Sequence, residues 1–570
     1  MKQTGKIIQK LLYSLIPIQI ASCMGLFLSN LIDNVIVGTF LSNDSLAIIG
    51  FASPLALVFN MIGGVIATGS QILGGYHMGR GEDDGVNGAF SGGLTLSVLI
   101  GAAFSLLLLL FPRPLAMLLG ASGDVASQTA SYLRGLCAGL IFWLFYKQML
   151  AFLQMENSPF TALLATIVMA VSKVGFDLLF VLVFKIGVLG VGLATSLSYL
   201  LAFLVGLLYY FFRHAPIRFS FRSLRLSVLL DILKKGIPNA VQEGCGVLRG
   251  FAINRFAVYF GGNEAVAVYT FASNTAELFF SGIGGTASAA DILNSIFAGT
   301  RDRNSLKQVN RHSLKSGAVI NLSLWVLVMC IANPVATLSG ASGAQLAETA
   351  LAIRLLFSAA LFNPIPTLCL HFYRTLGCIG HVNVISVLQL LVFQLTICAT
   401  LPHLIGTTGI WISYVIGDSL IATLLVLYSA KKLGFFPKKL TQVIYIPRKF
   451  GTPEENQWDG VLHEKEEIPS LCAQAREFVL SKGAAEERAG SCYECLSRLL
   501  INFCAYSGGT SCDVRVVSDG SELFLVLRDN GTPFDPTRVT PGGGLQVVRA
   551  LAKTMKYQTT LGLNVLTVEL

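Results

Sequence analysis

Charge is scarce in this chain. Asp, Glu, Lys and Arg make up 13% of its 570 residues, against about 25% in soluble globular domains. With 53% hydrophobic residues and so little charge, the chain cannot cover its apolar surface in water. A wholly soluble fold is excluded, and lipid is the main solvent. Metal-type cysteine pairs are lacking as well. Of the 12 cysteines, only Cys492 and Cys495 have C-x2-C spacing, on an expected helix and without a second pair. No metal site is expected, and the thiols read as reduced groups of membrane and cytoplasm. A cleavable leader is missing too. The short basic stretch Met1–Lys10 runs into an apolar segment with no small-residue cleavage pattern, so it reads as the entry to a first helix. The net charge of +9 does not point to nucleic acid, because the basic residues sit in short clusters between apolar runs.

Long apolar runs are abundant. A span needs about 20 mostly apolar residues. Such runs lie near 11–37, 45–75, 89–111, 129–154, 160–184, 187–212, 237–259, 264–297, 312–338, 347–374, 382–402 and 406–430. Alternate loops carry the basic residues: Arg213, Arg218, Arg222, Arg225, Lys234 and Lys235 after the sixth span, Arg301, Arg303, Lys307, Arg311 and Lys315 after the eighth, and Lys431, Lys432, Lys438 and Lys439 after the twelfth. The loops between hold little beyond Arg113 and Lys185. The positive-inside rule then puts both termini in the cytoplasm. The expected class is an all-α polytopic protein of a bacterial plasma membrane, with a soluble tail.

The two halves repeat. Asn43-Asp44-Ser45-Leu46-Ala47-Ile48-Ile49-Gly50-Phe51-Ala52-Ser53 aligns without gaps on Asn263-Glu264-Ala265-Val266-Ala267-Val268-Tyr269-Thr270-Phe271-Ala272-Ser273. The same offset maps Gly64 onto Gly284, Ile72-Leu73 onto Ile292-Leu293 and Gly79 onto Gly299, while Pro17 and Pro238 are one residue further apart. An even number of spans per half makes the halves face the same way. That implies two pseudo-symmetric six-helix bundles about an axis along the membrane normal, with a cavity between them. The bundles are expected at 1–225 and 226–439.

Asn30-Leu31-Ile32-Asp33-Asn34-Val35-Ile36-Val37-Gly38, with Ala47 to Pro54 and Gly74 to Gly81, resembles the first two helices of the MATE multidrug and toxin extrusion family. Gly236-Ile237-Pro238 and the stretch Gly187 to Ser196 are similar to it as well. The resemblance covers roughly 8–435. It implies a V-shaped pair of bundles that exports drugs or metabolites against Na⁺ or H⁺. One branch of the family binds its cation in the first bundle, which carries over to Asp33, Lys173, Asp177 and Thr195. At about 1.5 Å of rise per residue, Asp33, Asp177 and Thr195 reach the same half of the membrane, and intramembrane carboxylates are costly and usually functional. The bland alternative leaves Asp33 at a helix end and Asp177 in a structural ion pair. Lys173 departs from the family, which has Asn there. It stands one turn from Asp177, where side chains meet; an ammonium there either only balances a buried carboxylate or occupies the place of a sodium ion. The second bundle carries Glu243, Arg249, Arg255, Glu277, Arg354 and Asp418, of which Glu243, Arg249 and Glu277 are the candidates for lining a substrate cavity.

Past Lys439 the composition shifts. Residues 440–460 read as a polar linker and 461–570 as a small α/β domain, with helices near 470–482, 485–506 and 545–555 and strands at 512–518, 522–528, 556–560 and 563–570. Asp529-Asn530-Gly531-Thr532-Pro533-Phe534-Asp535-Pro536, then Gly542-Gly543-Gly544-Leu545 and Asn564-Val565-Leu566-Thr567-Val568, resemble the anti-sigma-factor kinase branch of the two-layer GHKL ATPases. The resemblance implies that Asp529 accepts from an adenine amine, that Gly531 lets the base approach, and that Gly542, Gly543 and Gly544 offer backbone N–H groups to phosphate at a helix start. It also implies a general base at Glu494 and an Asn at 498 to hold Mg²⁺. Arg498 stands there instead, and a guanidinium cannot coordinate a metal. Asn502 lies one turn on, and Arg498 itself can meet phosphate. ATP or ADP is therefore the expected ligand, with Glu494 a vestigial base and kinase activity weak or lost.

The reading is a cation-coupled antiporter, driven by protons, with a nucleotide-binding regulatory tail and an anti-anti-sigma-like protein as its partner. The alternative is a membrane-tethered serine kinase or anti-sigma-type regulator that uses the transporter half as a sensor.

Overall fold

The structure is a computed structural model. It describes the chain outside residues 1–5, 41–42, 157, 213–216, 339–342, 448–449, 508–510, 519–521 and 539–543, and side chains outside these and 6, 26–40, 43–47, 49, 454 and 560. Among the described residues, nine helices are long and apolar enough to cross a membrane, or ten if the bent pair Gly123–Cys137 and Leu140–Met155 is one span. The expected seventh and eighth spans run together as Leu226–Gly299, which breaks at Gly262 with φ 65° and ψ −158°, a conformation open to glycine and strained for other residues. This pair is not among the nine; it carries Glu243, Arg249, Arg255, Glu264, Glu277 and Asp291. The fifth and eleventh expected spans each hold a π-turn, Leu179–Val183 and Leu388–Phe393. Such bulges are often found at functional sites.

The halves meet along a glycine seam. A Cβ at Gly69 would lie 2.0 Å from the Ile232 carbonyl oxygen, and one at Gly236 would lie 2.0 Å from that of Val65. Nearer the tail, a Cβ at Gly79 would lie 2.0 Å from the Ile296 carbonyl oxygen, and one at Gly299 2.1 Å from that of Tyr76. Gly79 and Gly299, equivalent positions of the repeat, thus press backbone on backbone. Glycine is required there because any side chain would hold the helices apart.

The segment expected as a polar linker is pinned to the membrane half. Ile444 and Ile446 are buried in the main apolar core. Arg303 donates to the carbonyls of Ile446 at 2.8 Å, Pro447 at 2.6 Å and Phe450 at 3.1 Å. The tail's sheet also begins earlier than expected, with β1 at Gln457–Leu462, followed by β2 Cys512–Ser518, β3 Leu523–Asp529, β4 Thr554–Thr560 and β5 Leu563–Glu569. All pairings are antiparallel, in the order β1-β2-β3-β5-β4. Side chains alternate across a strand. Val514, Val516, Leu523, Leu525, Leu527, Leu566 and Val568 enter one core with the helices Ile468–Ser481, Glu486–Tyr506 and Gly544–Leu551. The opposite face meets the membrane half.

Candidate functional site

In the first bundle, Lys173 and Asp177 lie on the helix Pro159–Leu178. Both are buried, and Nζ stands 3.7 Å from Oδ2. The spacing that put them one turn apart therefore gives an ion pair away from water. Thr195, on the neighbouring helix Val188–Phe212, donates its hydroxyl to the Val191 carbonyl at 3.0 Å on its own helix. Asp33 belongs to the helix Lys6–Phe40, and its side chain lies outside the described residues.

In the second bundle, Arg249 donates to Gln394 Oε1 at 3.3 Å and stacks 5.2 Å over the Tyr414 ring. Tyr414 and Tyr269 share a hydrogen bond of 2.9 Å. Asp418 accepts from Asn363 at 2.7 Å and from Gln389 at 2.8 Å. Glu243 and Glu277 are exposed, on the same kinked helix as Arg249. The second bundle thus presents a cation stacked on one aromatic ring, with exposed carboxylates on the same helix, a surface suited to amphipathic ligands carrying either charge.

In the tail, Asp529 ends β3, and three donors converge on its Oδ1: Ser507 Oγ at 2.6 Å, Gly531 N at 2.8 Å and Asn564 Nδ2 at 2.9 Å. Oδ2 takes no hydrogen bond from the described residues. The carboxylate lines a pocket walled by Leu499, Phe503, Leu527, Leu545 and Leu566, where Tyr506 stacks on Phe534 at 4.9 Å. Asn502 lines the same pocket, and its buried Nδ2 has no hydrogen-bond partner among the described residues. Flat apolar walls with one acceptor and one spare donor can hold a heteroaromatic ring. Glu494 and Arg498 form an ion pair instead of standing apart: Arg498 Nε and Nη2 lie 2.9 and 2.7 Å from Glu494 Oε1. Gly544 opens the last helix, and a Cβ there would lie 3.2 Å from Arg498 Cδ. Arg498 therefore lies beside that helix start. Gly542 and Gly543 lie outside the described residues.

The MatE family profile matches this chain twice, over residues 17–179 and 238–400. The chain belongs to the MatE family. The two matches lie 221 residues apart, which places the internal repeat inside the family's own fold. Probable multidrug resistance protein YoeA of Bacillus subtilis is 24% identical to this MatE chain over 443 residues, 74% of this chain and 94% of that protein. Multidrug export protein MepA of Staphylococcus saprophyticus is 20% identical over 75% of this chain and 94% of its own length. A solved structure of MATE in complex with MaL6 superposes with a TM-score of 0.71 at 22% identity, covering 75% and 96% of the two chains. A MOP superfamily transporter from Pyrococcus furiosus gives 0.70 at 22% identity, with the same coverage. Those two likenesses are of fold.

The MatE half also holds a buried polar cluster that the sequence reading passed over. Asp291 Oδ2 lies 2.8 Å from His371 Nδ1 and 2.7 Å from Arg374 Nη2, and Thr375 donates to Oδ1 at 3.2 Å. Arg374 donates on to Asn239 at 2.9 Å, whose amide abuts Gly64 of the first bundle. His371 and Arg374 stand at i, i+3 on one helix face, a signal available in the sequence. Their partner Asp291 lies some eighty residues away, so spacing alone could not supply it.

Proposed function

We propose that this MatE chain is a proton-driven antiporter that exports drugs or small metabolites by alternating access of its two bundles, residues 1–225 and 226–439, from a bacterial plasma membrane. Its basic loops put both termini in the cytoplasm. The multidrug names of its relatives support the substrate class. The observation that carries the coupling reading is the buried Lys173–Asp177 pair. Na⁺ entering beside Lys173 meets a like charge worth about 4 kcal/mol at 4 Å and an effective dielectric of 20, and the substitution removes an oxygen that a hard ion prefers. A proton can bind Asp33 while the pair stays intact. The test is efflux from proteoliposomes with ΔpH and the Na⁺ gradient imposed separately, using a panel of charged dyes. Efflux driven by sodium at clamped pH and by no pH gradient would end this reading. So would full transport by either Asp33→Asn or Asp177→Asn.

We propose further that residues 461–570, joined through 440–460, are a GHKL-type domain that binds ATP or ADP and regulates the transporter, with an anti-anti-sigma-like protein as its partner. Three donors fixing Asp529 Oδ1 beside an apolar slot support an adenine site. The kinase reading is opposed by one observation: the would-be base Glu494 is engaged by Arg498, so its lone pairs are drawn to a fixed cation. Incubating the full chain with labelled ATP and a candidate substrate protein separates the two. Stoichiometric phosphoryl transfer would favour the kinase.

A further inference from the structure

We propose that the C-terminal sheet is a latch: its outer face lies across both bundles on one side of the membrane and restrains the movement of one against the other. The inference rests on the alternating-access reading and gives the tail's regulatory role a physical form.

The second bundle is held by charge. Asp302 caps the helix Arg303–Thr337, accepting from Ser305 N at 3.0 Å. It pairs with Arg515 of β2 and Arg528 of β3, the latter at 2.6 Å. Arg528 also donates to Ser305 Oγ at 2.9 Å. Asp459 of β1 pairs with Arg515 at 2.6 Å and accepts from Asn304 at 2.7 Å. These groups are almost wholly buried: the Asp302 side chain is 2% exposed and the two arginines 11% and 12%. A buried ion pair that loses one partner leaves an uncompensated charge, so the contact is strongly conditional on all its members.

The first bundle is held by apolar surface and the backbone. Ile7, on its opening helix, packs with Leu563 and Val565 of β5, and Leu11 and Val526 join them. Gln558 of β4 donates to the Gly79 carbonyl at 3.4 Å. Leu561, at the tip of the β4–β5 hairpin with φ 54°, is buried in the main membrane-half core. Gly79 is the same residue that presses on Gly299 at the seam. The sheet therefore spans the seam where the bundles close, gripping Gly79 on one side and the turn after Gly299 on the other. Separating the bundles there requires one of the two grips to let go.

The experiment is hydrogen exchange by mass spectrometry on the full chain in lipid nanodiscs, with two variants that break opposite grips, Asp302→Asn and Ile7→Asp. Loss of a buried charge partner should raise exchange in residues 512–529 on the order of a hundredfold. Under the latch, each variant also raises exchange in peptides covering 76–83 and 297–304, the ends of the seam. Ile7→Asp sits at a helix start where an acidic residue is tolerated, so it reports even where Asp302→Asn fails to fold. A freed sheet with unchanged seam peptides would overturn the latch. So would an Ile7→Asp chain whose tail protection is unchanged, since the sheet would then rest on one bundle alone. No substrate or nucleotide enters the measurement, so its outcome is independent of what is transported or bound.

Discussion

Replacing Asp529 by Asn tests the tail site with little disturbance of its shape. The carboxylate receives three donors on one oxygen. An Asn can turn its carbonyl oxygen toward the same three, so the local turn survives. What changes is the second atom: Oδ2, an acceptor with no donor among the described residues, becomes an NH2 group. An exocyclic amine entering the slot loses a charged acceptor and meets a donor. One charge-assisted hydrogen bond is worth about 1.5–3 kcal/mol, so ADP affinity should fall roughly 10- to 150-fold. Ser507→Ala should cost less, because Gly531 N and Asn564 Nδ2 still hold the same oxygen and Oδ2 stays a charged acceptor. Isothermal calorimetry of the purified full chain with ADP measures both. Undiminished binding by Asp529→Asn would refute the reasoning. A folded parent chain that takes up no nucleotide would do so as well, and would leave the nest a device for closing the turn.

Lys173→Asn should give a sodium-dependent efflux that the parent lacks, read in proteoliposomes at clamped pH; no gain would mean that Lys173 does not hold the sodium place. Arg498→Asn should free Glu494 and make ADP binding magnesium-dependent, visible as a new Mg²⁺ requirement in the same calorimetry. Gly79→Ala puts a Cβ 2.0 Å from the Ile296 carbonyl oxygen and should lower stability by about 1–3 kcal/mol, seen as a lower Tm; an unchanged Tm would show that the seam is loose. Docking of the sheet should depend on pH through Asp513, which burial pushes up to about 7 from an ordinary 3.8. It faces Asp302, Asp459, Arg515 and Arg528, so its ionisation sets a third carboxylate against two guanidinium groups. The docked value exceeds the undocked one, so docking is strongest in acid, weakens as pH rises through about 7 and levels off above. The limit is about 4 kcal/mol at 1.36 kcal/mol per unit. Exchange in residues 512–518, corrected for the base-catalysed intrinsic rate, should show this slope in the parent and none in Asp513→Asn; a slope of opposite sign would contradict it.

Much of the architecture was legible because lipid imposes long apolar runs, and the tail's strands because Val, Leu and Phe alternate across 512–518 and 523–529. β1 escaped because Gln457-Trp458-Asp459-Gly460 carries no apolar alternation; its place is fixed by pairing with β2 and by the Arg515 salt bridge. Lys173 and Asp177 were legible from helical spacing. Asp302 was not: a single acid in a basic loop looks solvated, and its partners stand more than two hundred residues away. The expected linker holds a contact invisible for a related reason, since three of its carbonyls accept from Arg303, 143 to 147 residues away.

Arg528 and Asp529 are consecutive residues of one strand, and the pleat sends them to opposite faces. One touches the transporter through Asp302; the other lines the pocket. A ligand that prefers the freed sheet to the docked one must, by linkage, be held more tightly whenever the bundles part, and by the same factor as it eases their parting. The pocket would then read the pump's cycle as faithfully as it sets it. A cell supplied with such a chain would possess a gauge of bundle movement written in the occupancy of that pocket.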